Sequence, residues 1–267
     1  MSSSGVWAGA IPIESAWELK DIFNPAVTLR SELERHNFLG PVACSHDPAT
    51  GYPLGAHFEL HIEQGPILEE AHKSVGVVRG AQGYRWLTIT VNGRDAHTGT
   101  TPLAARRDPV LAMSKMIVAS NAIAKRHGAL ASTGVIKLPR TSSTNTVVSE
   151  VSFTLDIRHP RDRVVHAVQD ECLQAFAEIA QEDGKGVSVD WTLDTDSAAV
   201  EFDGGCIAAV KDAATQLVGE DKWMELTSGA GHDSVYTSRH CPTAMIFVPC
   251  REGVSHHPEE YCSPTDW

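Results

Sequence analysis

Residues 84–91 read YRWLTITV and residues 150–157 read EVSFTLDI, two strand-like runs of aromatic, β-branched and alternating apolar side chains. The order of elements around them decides the fold. Pro102 to His127 reads as a long amphipathic helix, and Gly134 to Leu138 as a further strand. Arg161 to Asp183 follows as a second helix and Val187 to Leu193 as a last strand. Strand–helix–strand–strand–helix–strand is the order of a ferredoxin-like split βαβ module.

Outward from this unit the pattern changes. Residues 58–70, FELHIEQGPILEE, alternate: Phe58, Leu60 and Ile62 fall on one face of a strand, and Glu59, His61 and Glu63 on the other. Gly65-Pro66 ends the strand. Asp47 to Pro53 is rich in turn formers and reads as a loop, and Ile13 to Leu33 has helical spacing interrupted by Pro25. Beyond Val200 the chain reads as a helix, Cys206 to Val218, then loop, then an apolar strand, Thr243 to Val248. The expected organisation is a discontinuous main domain, residues 1–82 and 199–267, holding an inserted module of residues 83–198. The fold class is α/β with an α+β insert.

Composition narrows the function. A chain of 267 residues with 42% hydrophobic and 21% charged residues has the make-up of an ordinary globular protein. Its net charge of −12 and lack of a Lys/Arg-rich run would repel nucleic-acid backbones and anionic membrane surfaces. The six cysteines (Cys44, Cys172, Cys206, Cys241, Cys250, Cys262) form no CxxC pair, which speaks against a thiolate metal site or a disulfide scaffold. The first twenty residues have no basic flank followed by an apolar core, and no apolar run reaches membrane-spanning length. A soluble, cytoplasmic protein is expected.

Chemistry concentrates at histidine. Of thirteen histidines, His61 (HIEQG), His97 (DAHTGTTP), His232 (GAGHD) and the pair His256–His257 (GVSHHPEEY) stand near small and acidic residues. A single histidine is most often a hydrogen-bonded structural residue. Four sets in glycine-flanked loops shift that balance, though spacing does not say which are ligands. With carboxylates nearby and no thiolate pair, such a site suits zinc or manganese better than copper or an iron–sulfur cluster.

FELHIEQGPILEE, GRDAHTGTTPLAARRDP, EVSFTLDIRHP, SGAGHDS and GVSHHPEEY, in that order, resemble the signatures of the M20 metallopeptidase-like amidohydrolases. The nearest branch is the one containing β-alanine synthase (β-ureidopropionase), N-carbamoyl-L-amino acid hydrolase and allantoate amidohydrolase. The resemblance runs from about Val6 to Pro264. It implies an M20-type zinc-hydrolase domain with a ferredoxin-like lid that also dimerises the enzyme. It implies two zinc ions, with manganese or cobalt as substitutes, His61 a ligand of one and His256 of the other. Gln64, Asn145, Arg158 and the Gly231-His232 pair match substrate-contacting positions. His97 matches a lid histidine that reaches the partner subunit's site and stabilises an oxyanion. The implied reaction is hydrolysis of an N-carbamoyl amino acid at its ureido C–N bond by a zinc-activated water. Allantoate is the alternative substrate, and a non-catalytic lid-dimerising binding protein the alternative of another class.

One departure is large. In the resembling enzymes the remaining metal ligands and the general-base glutamate lie upstream of the stretch matching Val6-Trp7-Ala8, which only five residues precede here. The sequence therefore offers each zinc one protein ligand and no base, and the expectation is that this chain alone is inactive.

Overall fold

The computed structural model describes residues 2–140, 142–182 and 186–266. In its middle segment the two strands quoted above pair antiparallel, Gly83–Asn92 against Glu150–His159, without a break from Gly83↔His159 to Asn92↔Glu150. Ser188–Ser197 adds on the far side of Gly83–Asn92, and the short Leu130–Ser132 and Ile136–Lys137 strands on the far side of Glu150–His159. In order of succession the sheet reads second, third, first, fourth, the arrangement of a ferredoxin-like module.

Strand periodicity divides this sheet into a dry and a wet face. Val151, Phe153, Leu155 and Ile157 are buried with Leu87, Ile89 and Val91 under the two helices, Pro109–His127 and Asp162–Gln181. Phe153 meets Phe176 edge-on at 6.0 Å in that core. Each such fully buried side chain contributes about 1.5–3 kcal/mol. The residues between them, among them Asp156 and Arg158, face the other way.

The first helix begins later than its periodicity suggests. Leu103–Ala105 is a single 3₁₀ turn, and the α-helix starts at Pro109. The ring of Pro109 keeps Asp108 extended (φ −94°, ψ 99°), and the Asp108 carboxylate caps the N–H groups of Val110 and Leu111, both at 3.1 Å. Gly128 ends the helix in the left-handed conformation at φ 64°, just after Lys125, Arg126 and His127. The second helix runs Asp162–Gln181; its expected end at Asp183 lies outside the described residues.

The chain divides into two compact units, Met1–Ala81 with Val200–Trp267, and Gln82–Ala199. The first is built on a mixed sheet. His57–Ile62 runs parallel to Thr243–Val248 over the full length of both. Thr243–Val248 in turn pairs antiparallel with Val75–Ala81, whose other side takes Trp223–Ser228 in parallel. Val200–Glu201 extends the antiparallel side. The Gly204–Val218 helix is capped by Asp203, which accepts the Cys206 N–H at 2.8 Å. It buries Cys206 and Val210 on Val77 and Ala244.

Val75–Ala81, central in this sheet, is a strand that sequence periodicity does not reveal. Its two glycines break the alternation, and packing requires both. A β-carbon at Gly80 would lie 2.0 Å from the carbonyl oxygen of Val200, and one at Gly76 would lie 2.9 Å from both Leu226 and Phe247. The helical spacing around Pro25 resolves into two short helices, Ile13–Trp17 and Leu29–Arg35. No helix among the described residues is long and apolar enough to cross a membrane.

Candidate functional site

The strand His57–Ile62 turns its polar face, not its apolar one, toward packed neighbours. Phe58 and Leu60 are each 50% exposed, whereas Glu59 and His61 are half-buried. The polar face is satisfied by what it meets. Glu59 Oε2 accepts the main-chain N–H of Ser234 at 2.9 Å and its hydroxyl at 2.6 Å. Glu59 Oε1 lies 3.9 Å from Nδ1 of His232. His61 meets His232 edge-to-face, ring centres 4.7 Å apart, with Phe247 against both.

His232 reaches this position through the turn after the Trp223–Ser228 strand, and it opens the short helix Asp233–Thr237. It is buried, 3% exposed, and its Nε2 lies 2.8 Å from the Ser228 hydroxyl. Burial first, and then the neighbouring His61, push its pKa down to about 4; Glu59 and Asp233 oppose the shift. The ring is therefore neutral at neutral pH, as a metal ligand must be.

Glu59, His61 and His232 each present one donor atom, and the three lie within 4.8 Å of one another. Tetrahedral zinc, with bonds of about 2.0–2.2 Å, sets its donors roughly 3.4 Å apart, so an ion needs to draw these three in by only about an ångström. The carboxylate–imidazole donor set is of the kind zinc and manganese take. His61 Nδ1 sits 2.8 Å from the carbonyl of Ile62, which can only accept, so Nδ1 carries the proton and Nε2 is left as the donor. Next to the trio, Nε2 of His57 is buried without a hydrogen-bond partner, 3.8 Å from Glu59 Oε2.

His256 is exposed and stands outside this cluster of described residues. Its loop is anchored beside the end of the same strand. Gln64 Nε2 donates to the Ser255 hydroxyl at 2.9 Å, Gly253 lies tight against Gly65-Pro66, and the Glu260 carboxylate accepts the His256 N–H at 3.1 Å. Gln64 and His256 both hold left-handed backbone, φ 59° and 57°. Side-chain-bearing residues seldom adopt that conformation, and where the surroundings impose it the position is often functional. Gly231 is exposed in the turn before His232.

In the other unit, His97 lies on a two-residue ladder, Ala96–His97 with Thr146–Val147, and the Asn145 carbonyl accepts the Thr98 N–H at 2.9 Å. His97 and Asn145 are thus brought together. Nδ1 of His97 accepts from the N–H groups of Gly99 (3.0 Å) and Thr100 (3.3 Å), which leaves the ring proton on Nε2 as an exposed donor. Arg158 stands opposite Tyr84 in the sheet, its guanidinium 5.1 Å from the ring centre. Its Nε and Nη2 fork onto the Asp156 carboxylate at 2.7–3.1 Å. Asp162, in the following helix, accepts the Ala199 N–H at 2.7 Å.

Glu59, Ser228 and Ser234 escaped the motif reading. The signal for Glu59 was present, since His57, Glu59 and His61 share one face of an alternating strand. Ser228 and Ser234 stand inside the SGAGHDS block that carries His232, but nothing in the block marks their hydroxyls as partners of His232 and Glu59, which only the fold shows.

The model of peptidase family M20/M25/M40 matches residues 25–267. The chain is 35% identical over 262 residues to an N-carbamoyl-L-amino-acid amidohydrolase of Rhizobium meliloti, covering 97% of this chain and 60% of that one. It is likewise 35% identical over 217 residues to the allantoate amidohydrolase of Escherichia coli (strain K12), covering 80% and 51%. A crystal structure of an amidase of the hydantoinase/carbamoylase family from Burkholderia multivorans matches with a TM-score of 0.88 at 37% identity, over 99% of this chain and 62% of that one. The chain belongs to peptidase family M20/M25/M40 and has the mixed α/β fold of its amidohydrolases. It spans about 60% of the length of the Rhizobium relative. Members of this family are typically metal-dependent, and among the described residues Glu59, His61 and His232 form a group that could hold an ion.

Proposed function

We propose that the protein hydrolyses the ureido C–N bond of an N-carbamoyl amino acid, releasing the amino acid, ammonia and carbon dioxide. The observation that carries this is the Glu59–His61–His232 cluster, three convergent donors in a chain similar to carbamoyl amino acid amidohydrolases. His61 and Glu59 hold a divalent cation, zinc by preference. His232, buried beside them, is the third donor of the cluster and, with Gly231, the matched substrate contact. His256 serves a second cation. A bound cation of this kind polarises the scissile carbonyl and makes water a nucleophile at neutral pH. Gln64, Gly231, Asn145 and Arg158 bind the substrate, with Arg158 clamping its carboxylate through a planar fork. The outward Nε2–H of His97 donates to the developing oxyanion in the site of the partner subunit.

The Gln82–Ala199 unit serves as a lid and pairs two copies of the chain. In support, its Leu130–Lys137 edge exposes Leu130 (58%) and Ile136 (51%), an apolar edge unpaired among the described residues, of the kind that recruits another chain. Sedimentation of the chain and of Ile136→Lys tests this: a dimer converted to monomer supports pairing, and a wild-type monomer at tens of micromolar ends it. Ammonia release on N-carbamoyl-β-alanine, N-carbamoyl-L-amino acids and allantoate, using the full-length gene product with zinc, tests the activity. Turnover of carbamoyl amino acids is the expected result. Exclusive turnover of allantoate would overturn the substrate assignment, and no turnover of any would overturn the reaction.

A further inference from the structure

The loop that carries His256 is tied to the end of the His57–Ile62 strand by a short chain of side chains whose polarity is fixed. The hydroxyl of Ser255 lies 3.0 Å from Oε2 of Glu260 and 2.9 Å from the side-chain amide of Gln64. An ionised carboxylate only accepts hydrogen bonds, and a serine hydroxyl has one proton. That proton goes to Glu260, so Ser255 turns a lone pair toward Gln64. The group facing that lone pair must donate, which makes it Nε2. Reversing the amide would set two oxygens 2.9 Å apart with no proton between them. Glu260 Oε2 also accepts the His256 N–H at 3.1 Å, so one carboxylate anchors both branches. The residues at the far ends, Gln64 and His256, hold left-handed backbone, φ 59° and 57°, as side-chain-bearing residues do where their surroundings impose it. Oε1 of Gln64 has no hydrogen-bond partner among the described residues.

We propose that Ser255 and Glu260 are positioning residues: they fix the Gln64 amide with Oε1 toward the substrate, where it accepts from the terminal NH2 of a ureido group. This rests on the assignment of Gln64 as a substrate contact in the hydrolysis of N-carbamoyl amino acids. N-carbamoyl and N-formyl amino acids share the scissile carbonyl, the leaving nitrogen and the carboxylate. Only the carbamoyl compound carries a second nitrogen, with its own N–H donors, on that carbonyl. A site with a built acceptor favours the substrate that brings the donor, because the other leaves a polar group unpaired. The acceptor selects the ureido group and not the amino acid, so allantoate passes the same filter.

The plainer role for this chain of side chains is a staple that fastens the His256 loop to the strand. A staple acts through the cation that His256 serves, and its loss slows every substrate alike.

The measurement that separates the two is the ratio of kcat/KM for the N-carbamoyl and N-formyl forms of one amino acid, the wild type's best in the substrate panel. Release of the free amino acid is followed, with the full-length gene product and zinc. Ser255→Ala should lower the carbamoyl-to-formyl ratio roughly five- to tenfold, the worth of one hydrogen bond. Ser255→Thr, which keeps the hydroxyl, should restore it. Glu260→Gln, whose amide lets the chain run in either direction, should lower it as well. A ratio unchanged in Ser255→Ala or in Glu260→Gln overturns the proposal, and equal losses on both substrates are that result. Failure of the wild type to hydrolyse any carbamoyl amino acid overturns the underlying reaction, and is recognised because it appears before any substitution.

Discussion

Lowering the pH from 7 to 4 is expected to destabilise the native chain through His232. An ordinary histidine titrates at 6.5, and burial, then His61, depress His232 to about 4 in the folded state. A depressed pKa on a base means that the unfolded chain binds the extra proton between these values. The neutral ring's contribution to stability is therefore complete above pH 6.5, falls as pH drops through that window, and is gone below about pH 4. A difference of two to three pH units at 1.36 kcal/mol each amounts to about 3 kcal/mol, with little screening because the side chain is almost wholly buried. Carboxylates titrate in the same range, so the measurement is differential. Urea unfolding of wild type and of His232→Gln, whose amide can still reach Ser228, should be followed at half-unit pH intervals with a chelator present. The wild-type advantage should shrink by about 3 kcal/mol between pH 7 and pH 4. A difference between the two proteins that does not change with pH would refute the assignment of a buried, neutral His232.

Gly80→Ala places a β-carbon 2.0 Å from the Val200 carbonyl. The strands must shift, and a loss of about 1–3 kcal/mol is expected in thermal or urea unfolding. Asp108→Ala removes the cap from the N–H groups of Val110 and Leu111 and should cost about 1 kcal/mol by the same assay. Arg158→Lys, in an active full-length protein, should raise KM for a carbamoyl amino acid roughly tenfold or more, because an ammonium cannot keep the fork onto Asp156 and offer a planar face to a substrate carboxylate. An unchanged KM removes Arg158 from the site.

Local order was open to inspection wherever one face of an element is buried against one core. The strand Glu150–His159 and the helix Gly204–Val218 announce themselves because a two- or 3.6-residue period must match a buried face, and Thr243–Val248 because a strand buried on both faces reads as a continuous apolar run. The motif histidines, too, are visible in sequence, since small neighbours and acidic residues mark them. What escaped has a physical pattern of its own. Val75–Ala81 is central in its sheet, so the side chains of Leu226 and Phe247 at position 76 and the backbone of Val200 at position 80 demand glycine and erase the alternation. The face on which Phe58 and Leu60 fall was legible, but only the fold shows that it is the polar face that meets packed side chains.

The sequence by itself determined the periodicities, the ferredoxin-like order of the middle unit, and the family to which the motifs belong. Tertiary structure alone decided that His61 and Glu59, already on one face of their strand, meet His232 some 170 positions away. It alone decided that Ser228 and Ser234 hold the outer atoms of those donors. Motifs identify side chains one at a time, whereas a ligand set is a matter of distance between them. Parallel pairing of His57–Ile62 with Thr243–Val248, and of Trp223–Ser228 with Val75–Ala81, is what brings segments remote in the chain to within a few ångströms.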